Sequence, residues 1–137
     1  MKLNFRGLAI LSALVFSALA LTWMLTPDLL LSDWGVEFTS SAGLVSRRAA
    51  ALYAGIAVML FSARNAEPSA ARSALIKGVV VACFMLAALG FLELEVGNAT
   101  PRILIAIFIE VALMLGFLFV GCRHPAQSDT SYRRRKA

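Results

Sequence analysis

Residues 103–121 form an apolar run broken by one charge, Glu110, and long enough to cross a bilayer as a single helix. A carboxylate at membrane depth is costly, so it is expected to face other helices, a water-lined cavity or a basic partner rather than lipid. Three more apolar segments precede it, at 8–25, 49–63 and 73–92. A crossing needs ~20 residues at ~1.5 Å rise each. The segments 8–25 and 103–121 meet that length, and 73–92 does so with Lys77 near its end. The segment 49–63 is too short alone. Extended back to Ala42 it suffices, which sets Arg47 and Arg48 about one to two turns below the surface. Those guanidinium groups then either snorkel to the headgroups or meet an internal acid.

Composition agrees, since 60% of the 137 residues are hydrophobic, 15% are charged and the mean hydropathy is +0.80. A soluble domain of this size needs a more polar surface. The expected fold is all-α, a four-helix transmembrane bundle over 1–124, followed by a polar, basic tail at 125–137.

Lys and Arg set the expected orientation. Lys2 and Arg6 precede the first span; Arg64, Arg72 and Lys77 surround the second connection; Arg123 and the run Arg133, Arg134, Arg135, Lys136 follow the fourth. The first connection carries Asp28, Asp33 and Glu37 without Lys or Arg, and the third carries Glu93 and Glu95 with Arg102. The positive-inside rule then makes both termini and the middle connection cytoplasmic. The first segment also resembles a secretory signal, with an apolar core ending in Ala18-Leu19-Ala20. Its continuation through Trp23, Met24 and Leu25 reaches spanning length, so a retained helix is expected.

Small residues recur at intervals of four: Ala9, Ala13 and Ser17 in the first span, Ala50 with Ala54 and Ala51 with Gly55 in the second, Gly78 with Ala82, and Ala112 with Gly116. Such positions let transmembrane helices approach closely. The second span, small nearly all round, is expected to be contacted on several sides. Between the first two spans, Pro27-Asp28-Leu29-Leu30-Leu31 leads to Trp34. This pattern predicts a short outer interfacial helix capped by Asp28, with Trp34 as an interface anchor.

The candidate binding or buried polar cluster is Arg47, Arg48, Tyr53 and Glu110. Glu110 lies roughly 12 Å below the outer end of its helix, counted from Arg102 at ~1.5 Å per residue. Arg48 enters from the same side, with Tyr53 deeper on its helix, so a long arginine, the tyrosine hydroxyl and the carboxylate are expected to meet. Glu93 and Glu95 offer Arg47 a shallower alternative. Such a cluster either locks helices together or serves a ligand or proton.

Other chemistry is sparse. His124 is the single histidine, so no histidine pair is available for haem or a transition metal. Cys83 and Cys122 lack CxxC spacing and read as reduced structural thiols. No phosphate loop, HExxH or nucleophilic serine motif occurs. No cofactor and no enzymatic activity are expected. The basic tail is expected to attract anionic lipid at ~1 kcal/mol per basic residue near the surface. Without a folded basic domain it does not point to nucleic acid.

The stretch Ser46-Arg47-Arg48-Ala49-Ala50-Ala51-Leu52-Tyr53-Ala54-Gly55, then Arg64, then Gly97 and Pro101 before a helix with Glu110, resembles small bacterial four-helix inner-membrane proteins of a domain-of-unknown-function family. The architecture is broadly similar to DoxX-like membrane proteins. The resemblance covers about residues 42 to 120 and differs where Ala54-Gly55 replaces a glycine pair. It implies a compact bundle, marks Arg48, Tyr53 and Glu110, and carries no activity. The expected function is an accessory or assembly component of a larger membrane complex or homo-oligomer. The alternative is a small-molecule or lipid-binding carrier using the Arg/Tyr/Glu cluster.

Overall fold

A computed structural model describes residues 4–123 of the chain. His124 and the tail at 125–137, with its expected lipid attraction, lie outside the described residues. The elements are α1 (Phe5–Leu25), α2 (Pro27–Asp33), α3 (Ser40–Ser62), a 3-10 turn (Ala63–Asn65), α4 (Ala70–Val96), a second 3-10 turn (Pro101–Ile103) and α5 (Leu104–Arg123). No strand occurs among the described residues. Four helices, α1, α3, α4 and α5, are long and apolar enough to cross a membrane. The protein is thus an all-α, multi-pass bundle with a short helix after the first span.

Local chemistry sets the helix ends. The Asn4 side chain accepts a hydrogen bond from the Gly7 amide at 2.8 Å, Thr39 Oγ1 from Ala42 at 3.1 Å and Ser69 Oγ from Arg72 at 3.2 Å. Each such cap is worth ~1 kcal/mol. The Thr39 cap starts α3 at Ser40, so the second span is a full-length helix with Arg47 and Arg48 inside it. In α2 the cap position belongs to Thr26, without a side-chain bond, and Asp28 falls in the first turn instead. Pro27 at the first position accounts for the shift, since its fixed φ suits a helix start and it has no N–H to satisfy.

The helices pack as two pairs, α1 with α3 and α4 with α5. The pairs merge at the end of the bundle where α1 begins and α5 finishes. There Leu8, Phe16, Leu60, Val79, Leu113 and Phe117 form one buried cluster. Leu60 and Phe117 expose no surface. A Cβ on Gly116 would stand 3.2 Å from a Leu8 methyl, a measure of how closely α5 approaches α1 here.

At the opposite end, α2 closes over α1 and α3 through Trp23, Leu31 and Ala50. A polar clasp joins this cover to the α4–α5 connection. The Thr100 amide donates to the Trp34 carbonyl at 2.8 Å, and Thr100 Oγ1 donates to the Asp33 carbonyl at 2.7 Å. Arg102 forms an ion pair with the Asp33 carboxylate. Gly35 makes the approach possible: its φ of +78° is left-handed, and a Cβ there would lie 2.7 Å from Thr100 Cγ2.

The outward faces carry Leu14, Leu52, Val58, Phe84, Leu92 and Phe108, all exposed. Lipid solvates such a surface without penalty, whereas water does not. In α3 the buried face runs through Gly43, Ser46, Ala50 and Ala57, while Ala51, Ala54 and Gly55 are exposed. Within the single chain this helix is covered on one side rather than on several, because it pairs with α1 at the margin of the bundle.

Candidate functional site

Toward the α2 end the two helix pairs separate around two adjoining cavities of about 570 and 400 Å³. Both are lined by Trp23, Trp34, Tyr53, Ala106 and Glu110. The opening follows from side-chain size along one face. With 3.6 residues per turn, Ala106, Glu110, Leu113 and Phe117 share the inward side of α5. Ala106 supplies little bulk where Phe117 fills the space completely. Across from it α4 presents Gly90, where a Cβ would stand 3.0 Å from Ile107.

Aromatic contacts hold the walls. Trp23 of α1 and Trp34 after α2 meet edge to face, with ring centroids 5.3 Å apart and an interplanar angle of 67°. Such a pair contributes ~0.5–1.5 kcal/mol beyond its burial. The Tyr53 ring of α3 stacks on Phe16 at 6.0 Å, at an interplanar angle of 24°. Together they make a rigid aromatic lining on the α1–α3 side, opposite the α4–α5 pair.

The polar groups are unevenly satisfied. Asp33 is taken by Arg102, and Glu93 Oε2 accepts a hydrogen bond from Asn98 at 2.8 Å. Glu110 is half-buried, and its carboxylate has no hydrogen bond or ion pair among the described residues. The Tyr53 hydroxyl likewise makes no hydrogen bond among them. Ser12, one turn from cavity-lining Val15, has a fully buried hydroxyl without a partner. Buried polar atoms are normally paired, so the Ser12 hydroxyl is an exception in the packed core, while the partly buried Tyr53 and Glu110 keep their polar groups available to the cavities.

The structure brings together two of the four residues expected from sequence. Tyr53 and Glu110 line both cavities; Arg47 and Arg48 are exposed, line neither, and make no hydrogen bond or ion pair among the described residues. Helical geometry gives the reason. At about 100° per residue, Arg48 lies roughly 140° around α3 from Tyr53, nearly opposite the buried face. The expected meeting of Arg48 with Glu110 is therefore not the arrangement found. The arginine at this site is Arg102, already engaged by Asp33.

Sequence reasoning missed Trp23, Trp34, Glu93 and Asn98 as neighbours of Glu110. Trp34 read as a surface anchor and Glu93 as a shallow partner for Arg47. One signal was available: Phe16, Ala20 and Trp23 recur at helical spacing on the buried side of α1. Among the described residues no three His, Cys, Asp or Glu side chains gather into a metal-binding group. Cys83 sits in the packed core and offers no accessible nucleophile. The site is suited to binding: an aromatic, largely apolar space with the Glu110 carboxyl group at one wall.

Compared with known proteins, the chain matches no family model, no curated protein and no solved structure.

Proposed function

We propose that this chain is a small-molecule-binding membrane protein whose ligand is an amphipathic organic cation, such as a protonated amine or a quaternary ammonium. This sharpens the carrier reading of the sequence and places it ahead of the accessory role. The single observation that carries it is Glu110, a half-buried carboxyl group without a hydrogen-bond or ion-pair partner among the described residues, facing a cavity walled by Trp23, Trp34 and Tyr53. Aromatic faces attract cations through their quadrupole, and a low-dielectric setting strengthens attraction to a carboxylate. With Asp33 and Arg102 cancelling, Glu93 and Glu110 leave the lining acidic on a chain of net charge +5. The ligand's apolar body would fill the space beside Ala106.

The Lys and Arg distribution supports cytoplasmic termini, which sets the cavity in the outer half, and the resemblance supports a bacterial inner membrane. Binding is the role this arrangement supports best, since among the described residues the cavity lining pairs the Glu110 carboxyl group with aromatic and apolar side chains.

The protein's two tryptophans both line the cavity, so intrinsic fluorescence reports occupancy directly. Titrating the purified protein in detergent with tetraphenylphosphonium should quench and saturate. Glu110→Gln should weaken binding by about 10-fold to 100-fold, the loss of one cation–carboxylate attraction in a partly buried setting. A neutral analogue of equal size should bind both proteins alike. Equal cation affinity in wild type and Glu110→Gln would end this reading. If native membranes then yield a stable partner, the accessory role takes its place.

A further inference from the structure

At the other end of the bundle, Arg6, Arg64 and Arg72 line one depression of about 280 Å³ together with Asn4 and Asn65. No Asp or Glu lines it, and none of the three arginines has an ion pair among the described residues. We propose that this depression is a binding site for a phosphate-bearing anion at headgroup depth, supplied by an anionic phospholipid or by free phosphate.

Orientation in a membrane requires only that basic residues be numerous on one side; it does not require that they converge. Here they converge from three elements: Arg6 from the start of α1, Arg64 from the turn after α3, and Arg72 from the first turn of α4. Two of them are held in place. Arg64 lies 3.9 Å over the Phe61 ring and donates to the Phe61 carbonyl at 2.6 Å. Arg72 lies 4.0 Å over the Phe5 ring and donates to the Ala66 carbonyl at 3.2 Å. A guanidinium carries five N–H donors, so each keeps donors for an anion after making that bond. Planar arginine forks match phosphate oxygens bidentately, and the Asn4 and Asn65 amides line the same depression.

Depth identifies the occupant's chemistry. The three arginines sit where the apolar spans begin and end, the level at which lipid phosphates lie whichever way the bundle is inserted. Basic pockets between transmembrane helices are suited to acidic headgroups. The site is independent of the cavity beneath α2, because the two share no residue.

The test is native mass spectrometry of the full chain released from nanodiscs holding equal phosphatidylglycerol and phosphatidylcholine. Wild type should retain phosphatidylglycerol preferentially. Arg64→Gln with Arg72→Gln should lower that preference roughly 30-fold, at about a factor of five per basic residue. Lys77→Gln, an exposed charge at the same end but outside the depression, should leave it within twofold. Should the Gln pair fail to fold, Arg64→Lys with Arg72→Lys keeps the charge and should lose only the bidentate part of the preference. Inorganic phosphate that displaces the retained lipid and protects the wild type alone against heating would assign the site to soluble phosphate; lipid retention unaffected by phosphate assigns it to the headgroup. Equal retention of both lipids, or a preference removed only by deleting residues 125–137, would overturn the proposal.

Discussion

The inward face of α5 is built twice over in one helix, with opposite results. Near its end, Phe117 and Val120 meet Leu8, Leu60 and Val79 in a filled core. Near its start, the same face offers Ala106 and Glu110, and the helix pairs part around two cavities. Lipid is as apolar as leucine, so no hydrophobic force obliges the open half to close. Closure there depends on side-chain volume and polar pairing; Ala106 supplies little volume, and the polar pairs sit at the rim, in the clasp of Asp33, Trp34, Thr100 and Arg102, rather than across the cavities. The buried core is thus concentrated toward the end with the arginines, and the aromatic-lined space that holds a carboxyl group lies beneath α2.

The sharpest way to break this comparison is large-to-small substitution in each half. Phe117→Ala should cost about 2–3 kcal/mol, the packing part of the usual loss, measured by thermal or denaturant unfolding in detergent. Ile107→Ala, at the cavity wall, should cost less than about 1 kcal/mol, because that side chain already lacks neighbours on one side. Comparable losses would mean that the open half contributes as much to stability as the packed one.

Adding the same side chain at two points of α5 is the complementary trial. Gly116→Leu drives bulk into Leu8 and should cost about 1–3 kcal/mol through overpacking. Ala106→Leu should be neutral or stabilise by up to about 1 kcal/mol while removing tetraphenylphosphonium quenching, since it fills cavity rather than core. A folded Ala106→Leu protein that still binds the cation would place the ligand elsewhere.

The smallest effect is expected at the clasp over the open half. Asp33→Asn should change global stability by no more than about 1 kcal/mol, because both partners of the Arg102 ion pair are exposed. Amide hydrogen exchange at Trp34 and Thr100 should nevertheless quicken, as those backbone bonds lose their lateral support. Unchanged exchange would show that Thr100 and Gly35 hold the cover without the ion pair.

Much of the fold was legible because hydrophobic length is a one-dimensional property. Apolar runs of spanning length mark α1, α4 and α5, and the need for that length extended the short second run back to Ala42; the Thr39 cap, seen only in the structure, starts α3 at Ser40. Pro27 likewise announces a short helix, although its own preference for the first helical position displaced Asp28 from the cap. The site was legible in part. Glu110 stands out because a carboxylate in an apolar run has few tolerable surroundings, and Tyr53 follows at compatible depth. Arg48 matches them in depth as well, yet depth is only one of two coordinates on a helix.

The sequence by itself determined which segments are helices, which end of the bundle gathers the arginines, and that Glu110 must find a non-lipid setting. Only the tertiary structure decided the azimuth of each side chain relative to its neighbours: Arg48 turned away, Trp23 and Trp34 brought against each other, Asp33 joined to Arg102 across the chain. Helix formation depends on residues within a turn or two, whereas the pairing of α1 with α3 and α4 with α5 depends on volumes summed over distant positions. The cavity belongs to that second class, since it is the space those sums leave unfilled.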